Sequence, residues 1–162
     1  MWHSFCKKSY SAIKTSKITQ LLIRKIKMQL PRLSRNVSRS FTDKTVLLID
    51  DEQILIEVCE MMLLRLGHKV FKASSGYEAL NIFEDYKNQI DLVISDMFMP
   101  EMDAQELVGE LRKIDYKAKV LLSSGALTDL DEKEIANRGF NGFIQKPYSI
   151  GTLSEKMAEI LN

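Results

Sequence analysis

The sequence predicts an α/β fold: a doubly wound, five-stranded parallel sheet with helices on both faces, preceded by a basic N-terminal extension. Three observations predict it. Short apolar runs alternate five times with segments whose apolar residues recur at helical spacing. The runs are continuous rather than alternating in and out, as strands covered on both faces require. The charge is also divided along the chain. Residues 1–42 hold ten of the 23 Lys/Arg and no acid, whereas residues 43–162 set thirteen Lys/Arg against all 22 Asp and Glu. A net charge of +1 therefore conceals a body carrying an excess of nine negative charges.

Each element has its own signal. Val46-Leu47-Leu48-Ile49 is the first strand. Leu55, Val58, Cys59, Met62 and Leu66 mark the first helix, and Gly67 closes it. Val70-Phe71 with its flanks is a short second strand. Ser75 and Glu78 form a capping-box pattern that opens a helix through Ala79, Leu80, Ile82 and Phe83. Leu92–Ser95 is the third strand, and Leu107, Val108 and Leu111 stripe the helix after it. Val120-Leu121-Leu122 is the fourth strand, with a helix expected around Asp131–Asn137. Phe143-Ile144 centres the fifth strand, and Leu153, Met157, Ile160 and Leu161 give the last helical stripe. Right-handed crossovers then make the sheet open and wound both ways.

Composition excludes several classes. With 45% apolar and 28% charged residues, 162 residues suit one ordinary globular domain and a modest extension. Cys6 and Cys59 are too few for a disulfide framework and fit a reducing compartment, the cytoplasm. No apolar run reaches the length of a membrane span, and no secretory signal opens the chain. The nucleotide loops GxxxxGK[ST] and GxGxxG are both absent.

The chemistry lies in the residues just beyond each strand. Asp50, Asp51 and Glu52 come after the first, Asp96 after the third, Ser123, Ser124 and Gly125 after the fourth, and Gln145, Lys146 and Pro147 after the fifth. In a parallel sheet these ends share one edge, where open α/β sheets place their sites. Three neighbouring carboxylates stay ionised only with a cation among them. Oxygen-only ligands without His or Cys point to Mg2+ rather than zinc. A magnesium ion, a lysine and a hydroxyl together make a receptor for a phosphoryl group. An Asp carboxylate is a competent covalent acceptor of one, which suggests Asp96. Taken singly, Asp50-Asp51 reads as an exposed helix start, Lys146 as a solvated lysine and Ser124 as a cap residue. Their coincidence at consecutive strand ends rejects that reading. Cys59 and the eight methionines read as core filling, and neither His3 nor His68 carries a catalytic pattern.

"VLLIDDE", "DLVISDMFMPEMD", "VLLSSGA" and "GFIQKPY" resemble the four signatures of the response-regulator receiver domain of two-component signalling. The resemblance covers residues 44–162, leaving 1–43 as the extension, and implies the flavodoxin-like strand order 2-1-3-4-5. It implies Asp96 as the phosphoacceptor, with Asp50, Asp51, Asp96 and the backbone carbonyl of Phe98 holding Mg2+. Lys146 is implied to pair with the phosphoryl oxygens, and Ser124 and Phe143 to be the switch pair. The Lys146–Pro147 peptide is implied to be cis. A sensor histidine kinase or a histidine phosphotransfer protein is the implied donor, and a downstream protein the implied target. A homodimer through the fourth helix and fifth strand belongs to the same expectation.

Two positions depart from the family pattern. Ala104 stands where the family usually has Gly, so modest strain or a different loop path is expected there. Phe98 and Ala126, two past Asp96 and two past Ser124, replace residues that are often polar, and slow loss of the phosphoryl group is expected. Because the chain closes at Asn162, directly after the last helical stripe, a stand-alone receiver without a further output domain is expected.

The extension is open to several readings. Ile18, Leu22, Ile26 and Leu30 fall four apart among Lys17, Arg24, Lys25 and Lys27, and Pro31 ends the run. This suits a basic amphipathic helix on anionic lipid, a nucleic-acid contact, a transit-like peptide, or a leader without function. Two rival functions stand beside the phosphorylation switch. One is a Mg2+-dependent hydrolase, for which no general acid or substrate pocket is visible. The other is a passive adaptor or anchoring module whose basic arm binds membrane or nucleic acid.

Overall fold

The computed structural model describes residues 43–125 and 132–162. Five strands alternate with five helices: β1 (Thr45–Ile49), α1 (Gln53–Arg65), β2 (Lys69–Ala73), α2 (Gly76–Tyr86), β3 (Leu92–Asp96), α3 (Ala104–Ile114), β4 (Val120–Ser124), α4 (Glu132–Asn137), β5 (Gly142–Gln145) and α5 (Ile150–Leu161). All pairings are parallel, in the order β2-β1-β3-β4-β5. The expected fold class and strand order are those observed. Asp131, at the start of the helix expected before the fifth strand, lies outside the described residues.

The continuous apolar runs become two cores because side chains alternate across a strand. Leu47, Ile49, Val93, Val120 and Leu122 point to one face and pack with Ala79 and Phe83 of α2, Leu107 and Leu111 of α3, and Ile135 of α4. Val46, Leu48, Leu92, Ile94 and Leu121 point to the other, against Ile56, Cys59 and Leu63 of α1 and Leu153 and Met157 of α5. β2 forms an edge, and its exposed Lys69 and Lys72 suit a strand that must not recruit another.

Some details differ from expectation. The fully buried face of α1 is Ile56, Cys59 and Leu63, whereas Leu55, Val58, Met62 and Leu66 are only half-buried. This helix is apolar on nearly every side, so its periodicity does not single out one face. β4 runs on through Ser124, so Ser123 and Ser124 are buried strand residues rather than loop residues. The capping box at α2 is displaced by one. Ser75 Oγ accepts from the Glu78 amide at 3.2 Å, but the Glu78 carboxylate accepts from the amide and hydroxyl of Ser74. Ala104 is the first helical residue of α3, capped by Asp103, and is not left-handed. The left-handed residue of that loop is Glu101, at φ 70°. No strain therefore arises from the absent glycine. Gly67, at φ 88°, does sit beyond the α1 C-cap as expected, with the His68 amide donating to Leu63 at 3.0 Å.

Gly76 is needed for space. A Cβ there would lie 2.7 Å from Sδ and 2.9 Å from Cβ of Met102, a buried residue of the loop before α3. Overpacking of this kind costs about 1–3 kcal/mol, more than the roughly 1 kcal/mol that Ala gains over Gly in a helix. Gly76→Ala is expected to lower stability by about 1–2 kcal/mol in urea unfolding. Combining it with Met102→Ala should make the second substitution cost less than it does alone.

Candidate functional site

Parallel pairing brings the ends of β1, β3, β4 and β5 to one edge, with Ile49 opposite Ser95, Asp96 opposite Ser123, and Ser124 opposite Gln145. Asp50 leaves β1, Asp96 ends β3, and Lys146 follows β5. The Lys146 ammonium donates to Asp50 Oδ2 at 2.6 Å and to Asp96 Oδ1 at 2.6 Å. The three side chains retain only 14% (Lys146), 6% (Asp50) and 15% (Asp96) of their exposure. Solvent therefore screens this pairing little. The remaining oxygens are used as well. Asp50 Oδ1 accepts from the Glu52 amide at 2.9 Å, and Asp96 Oδ2 accepts from the Phe98 amide at 3.1 Å.

Charge balance decides how these groups titrate. Burial pushes the Asp50 carboxyl above the ordinary carboxylate range, and attraction to Lys146 only partly offsets this. For Lys146 burial is the largest single influence and opposes its charge. The combined pull of Asp96 and Asp50 outweighs it and raises the ammonium above the ordinary lysine value. Lys146 thus favours folding at every pH below the ordinary lysine range and ceases to do so as pH rises through its raised value. Asp50 has the opposite sign for a carboxylate, since its folded form holds a proton more tightly than its unfolded form. Its ionised form is therefore a cost to folding at neutral pH.

Ser124 lies 1% exposed at the end of β4, its hydroxyl 3.9 Å from the Met97 sulfur. The Lys146 amide donates to the Ser124 carbonyl at 2.7 Å, tying the lysine loop to β4, and the Lys146–Pro147 peptide is cis. Phe143 is half-buried against the core that α2, α3 and α4 cover. Phe98 is half-exposed beside Asp96. Ala126 lies outside the described residues.

Asp50, Asp96 and Lys146 are thus drawn together as their placement at strand ends predicts. Asp51 follows Asp50 at the same edge but makes no hydrogen bond or ion pair among the described residues. No three acidic, His or Cys side chains among those residues converge on a ready-made cation site. The donor set nonetheless fits a hard divalent cation. Asp50 and Asp96 offer carboxylate oxygens, and a buried, partly uncompensated Asp50 is what such a cation would relieve. Sequence reasoning missed Tyr148, whose hydroxyl donates to the Cys59 sulfur at 3.4 Å and so pins the lysine loop to α1. Burial raises the Cys59 thiol to about 11, so it stays protonated as that bond's acceptor. Neither residue carries a sequence signal of the pairing, since they lie 89 positions apart.

Comparison with known proteins agrees with this fold. The family profile described as the response regulator receiver domain matches residues 46–158. The chain is similar to the sensor kinase CckA of Brucella abortus, with 37% identity over 117 residues, 72% of this chain and 12% of that protein. It spans less than half the length of the curated relatives it matches. Among solved structures, a response regulator receiver domain protein from Clostridium thermocellum is 32% identical with a TM-score of 0.67, over 74% of this chain and 94% of that one. The response regulator TrrA from Thermotoga maritima, crystallised in complex with Mg2+ and BeF, is 29% identical with a TM-score of 0.64, over 73% of this chain and 99% of that one.

Removing the ammonium leaves two buried carboxylates facing each other. Lys146→Met is expected to cost about 3 kcal/mol at pH 7, the usual scale for stranding a buried charge. The cost should shrink toward pH 4, because Asp50, already raised, takes up a proton and no longer needs a counter-charge. Urea unfolding of both proteins at the two pH values measures it.

Proposed function

The chain belongs to the response regulator receiver domain family of two-component signalling, and on that premise we propose that it is a switch driven by phosphorylation of Asp96. In this reading an Asp96 oxygen attacks the phosphorus of a phosphohistidine. The P–N bond breaks, its electron pair stays on the imidazole nitrogen, and an acyl phosphate forms on Asp96. The observation that carries the reading is the single ammonium 2.6 Å from both Asp50 and Asp96. A cation in that position stands where it can neutralise charge as it accumulates on the transferred group.

Asp50, Asp51, Asp96 and the Phe98 carbonyl are the ligands proposed for Mg2+. When bound, the ion would supply charge neutralisation for phosphoryl oxygens. Lys146 would exchange its bond to Asp96 for one to the phosphoryl group. The Ser124 hydroxyl, at the end of β4, would donate to the same group, and Phe143 would repack with it. The change is then read at the surface of α4 and β5, either by a downstream protein or by a second copy of the chain. The donor would be a sensor histidine kinase or histidine phosphotransfer protein, and the setting the cytoplasm. Residues 44–162 form the receiver in this reading, and residues 1–43 an extension.

Incubation with a small acyl phosphate tests the assignment. Wild-type protein is expected to take up one phosphoryl group in the presence of Mg2+ and none with a chelator, and Asp96→Asn none in either case. Equal labelling of Asp96→Asn would remove Asp96 from the reading.

The phosphoryl group is expected to be long-lived. Hydrolysis needs a water held in line with the bond to Asp96, and positioning supplies most of the catalysis in phosphoryl transfer. The Phe98 side chain offers no group to hold that water and lies beside Asp96. Phe98→Asn should shorten the half-life of the labelled protein several-fold, measured by intact mass over time after the donor is removed. An unchanged half-life would acquit Phe98.

A further inference from the structure

The opposite end of the sheet has the opposite charge. The turns from α2 to β3 and from α3 to β4 enclose a shallow cleft lined by Lys87, Arg112, Lys113, Asp115, Tyr116 and Lys117. Four cations thus face one carboxylate. Some of this charge serves the fold, because helix C-termini favour cations. Arg112 donates to the Tyr116 and Gly139 carbonyls, both at 2.8 Å, and is spent there. The remaining three are not. Lys87 and Lys117 have no carboxylate partner among the described residues, and Lys113 pairs only with Glu110 while 72% exposed. Tyr116 lines the same cleft, 73% exposed, with the Lys117 ammonium 5.4 Å from its ring centre. It is the most exposed large apolar side chain among the described residues.

The first described residues of the chain lie at this same end. Asp43 donates its amide to the Gly67 carbonyl at 3.0 Å, and Thr45 donates its amide to Asp91, just after the Lys87–Asn88 turn. We infer that this end of the domain docks on anionic lipid, with Lys87, Lys113 and Lys117 at headgroup phosphates and Tyr116 in the interfacial layer. Two observations favour lipid over nucleic acid. The cations lie on turns at helix C-termini, so no helix side or strand ribbon is offered to a groove. An exposed aromatic ring with a polar tip also accompanies the charge at Tyr116, the kind of group that the membrane interface favours. No described helix is long and apolar enough to cross a membrane. The Asp96 edge would then face away from the lipid, open to a protein partner.

The test is co-sedimentation of the full chain with vesicles of phosphatidylcholine alone and of phosphatidylcholine mixed with phosphatidylserine. Wild type should bind the mixed vesicles only, and less tightly as salt rises. Lys87→Gln/Lys113→Gln/Lys117→Gln should bind about 100-fold more weakly, given a few-fold per lysine at an anionic surface. Tyr116→Ser should bind several-fold more weakly, a loss that net charge does not explain. Lys133→Gln/Lys156→Gln, on α4 and α5, controls for charge alone and should bind as wild type, and thermal unfolding confirms that every variant is folded. Four results would overturn the inference: no binding by wild type, full binding by the triple variant, equal loss in the control, or tighter lysine-dependent binding to duplex DNA or RNA than to vesicles.

Discussion

The ammonium of Lys146 bonds at 2.6 Å to two carboxylates that the fold withdraws from water, and the arrangement of the whole edge follows from that contact. Two buried like charges cannot both stay ionised without a cation between them. The bond reaches across the sheet, since Asp50 leaves β1, Asp96 ends β3 and Lys146 follows β5. It therefore reports the register of the sheet from β1 to β5. Slipping any of these strands by one residue would turn its side chains to the other face and take its member out of reach. The cis peptide after Lys146, the hydrogen bond from the Lys146 amide to the Ser124 carbonyl, and the Tyr148–Cys59 contact all bear on this one loop.

The site is held without rest. Asp50 is raised by burial despite its lysine, so the folded protein keeps a carboxylate where a neutral group would be easier to bury. On the proposed reading that cost is kept because a divalent cation bound at this edge would relieve it.

The same parallel topology gives the domain two unlike ends. Every crossover helix starts near the C-terminal edge of the strands and finishes near their N-terminal edge. The partial positive charges of helix N-termini therefore gather around the Asp96 edge, and exposed carbonyls gather at the other. The residues conform. Ser75, Asp103 and Ser149 cap helix starts, while Arg112 and Lys119 donate to carbonyls at or beyond helix ends. The basic cleft lies where such cations already belong, and what distinguishes it is the surplus beyond those carbonyls together with an exposed tyrosine.

Much of this was legible in the residues themselves. Unbroken apolar runs such as Val46–Ile49 and Leu92–Ile94 announce two-faced burial, and parallel pairing then obliges the groups just beyond them to share an edge. Asp50, Asp96 and Lys146 were readable for that reason. Where local pattern was degenerate the sequence was silent or misleading. The apolar surface of α1 runs nearly all round, so only packing against β1 and β2 selects Ile56, Cys59 and Leu63. Ser123 and Ser124 look like loop residues, and become strand because β5 pairs with them. The meeting of Gly76 with Met102, the bond from Tyr148 to Cys59 and the gathering of Lys87 with Lys117 have no local signature at all. The sequence by itself determined which polar groups follow the strands and along which edge they stand, because strand period and chain direction are local properties. Only the tertiary structure decided which of them touch, since contact between residues tens of positions apart depends on how two separately formed layers settle against one sheet.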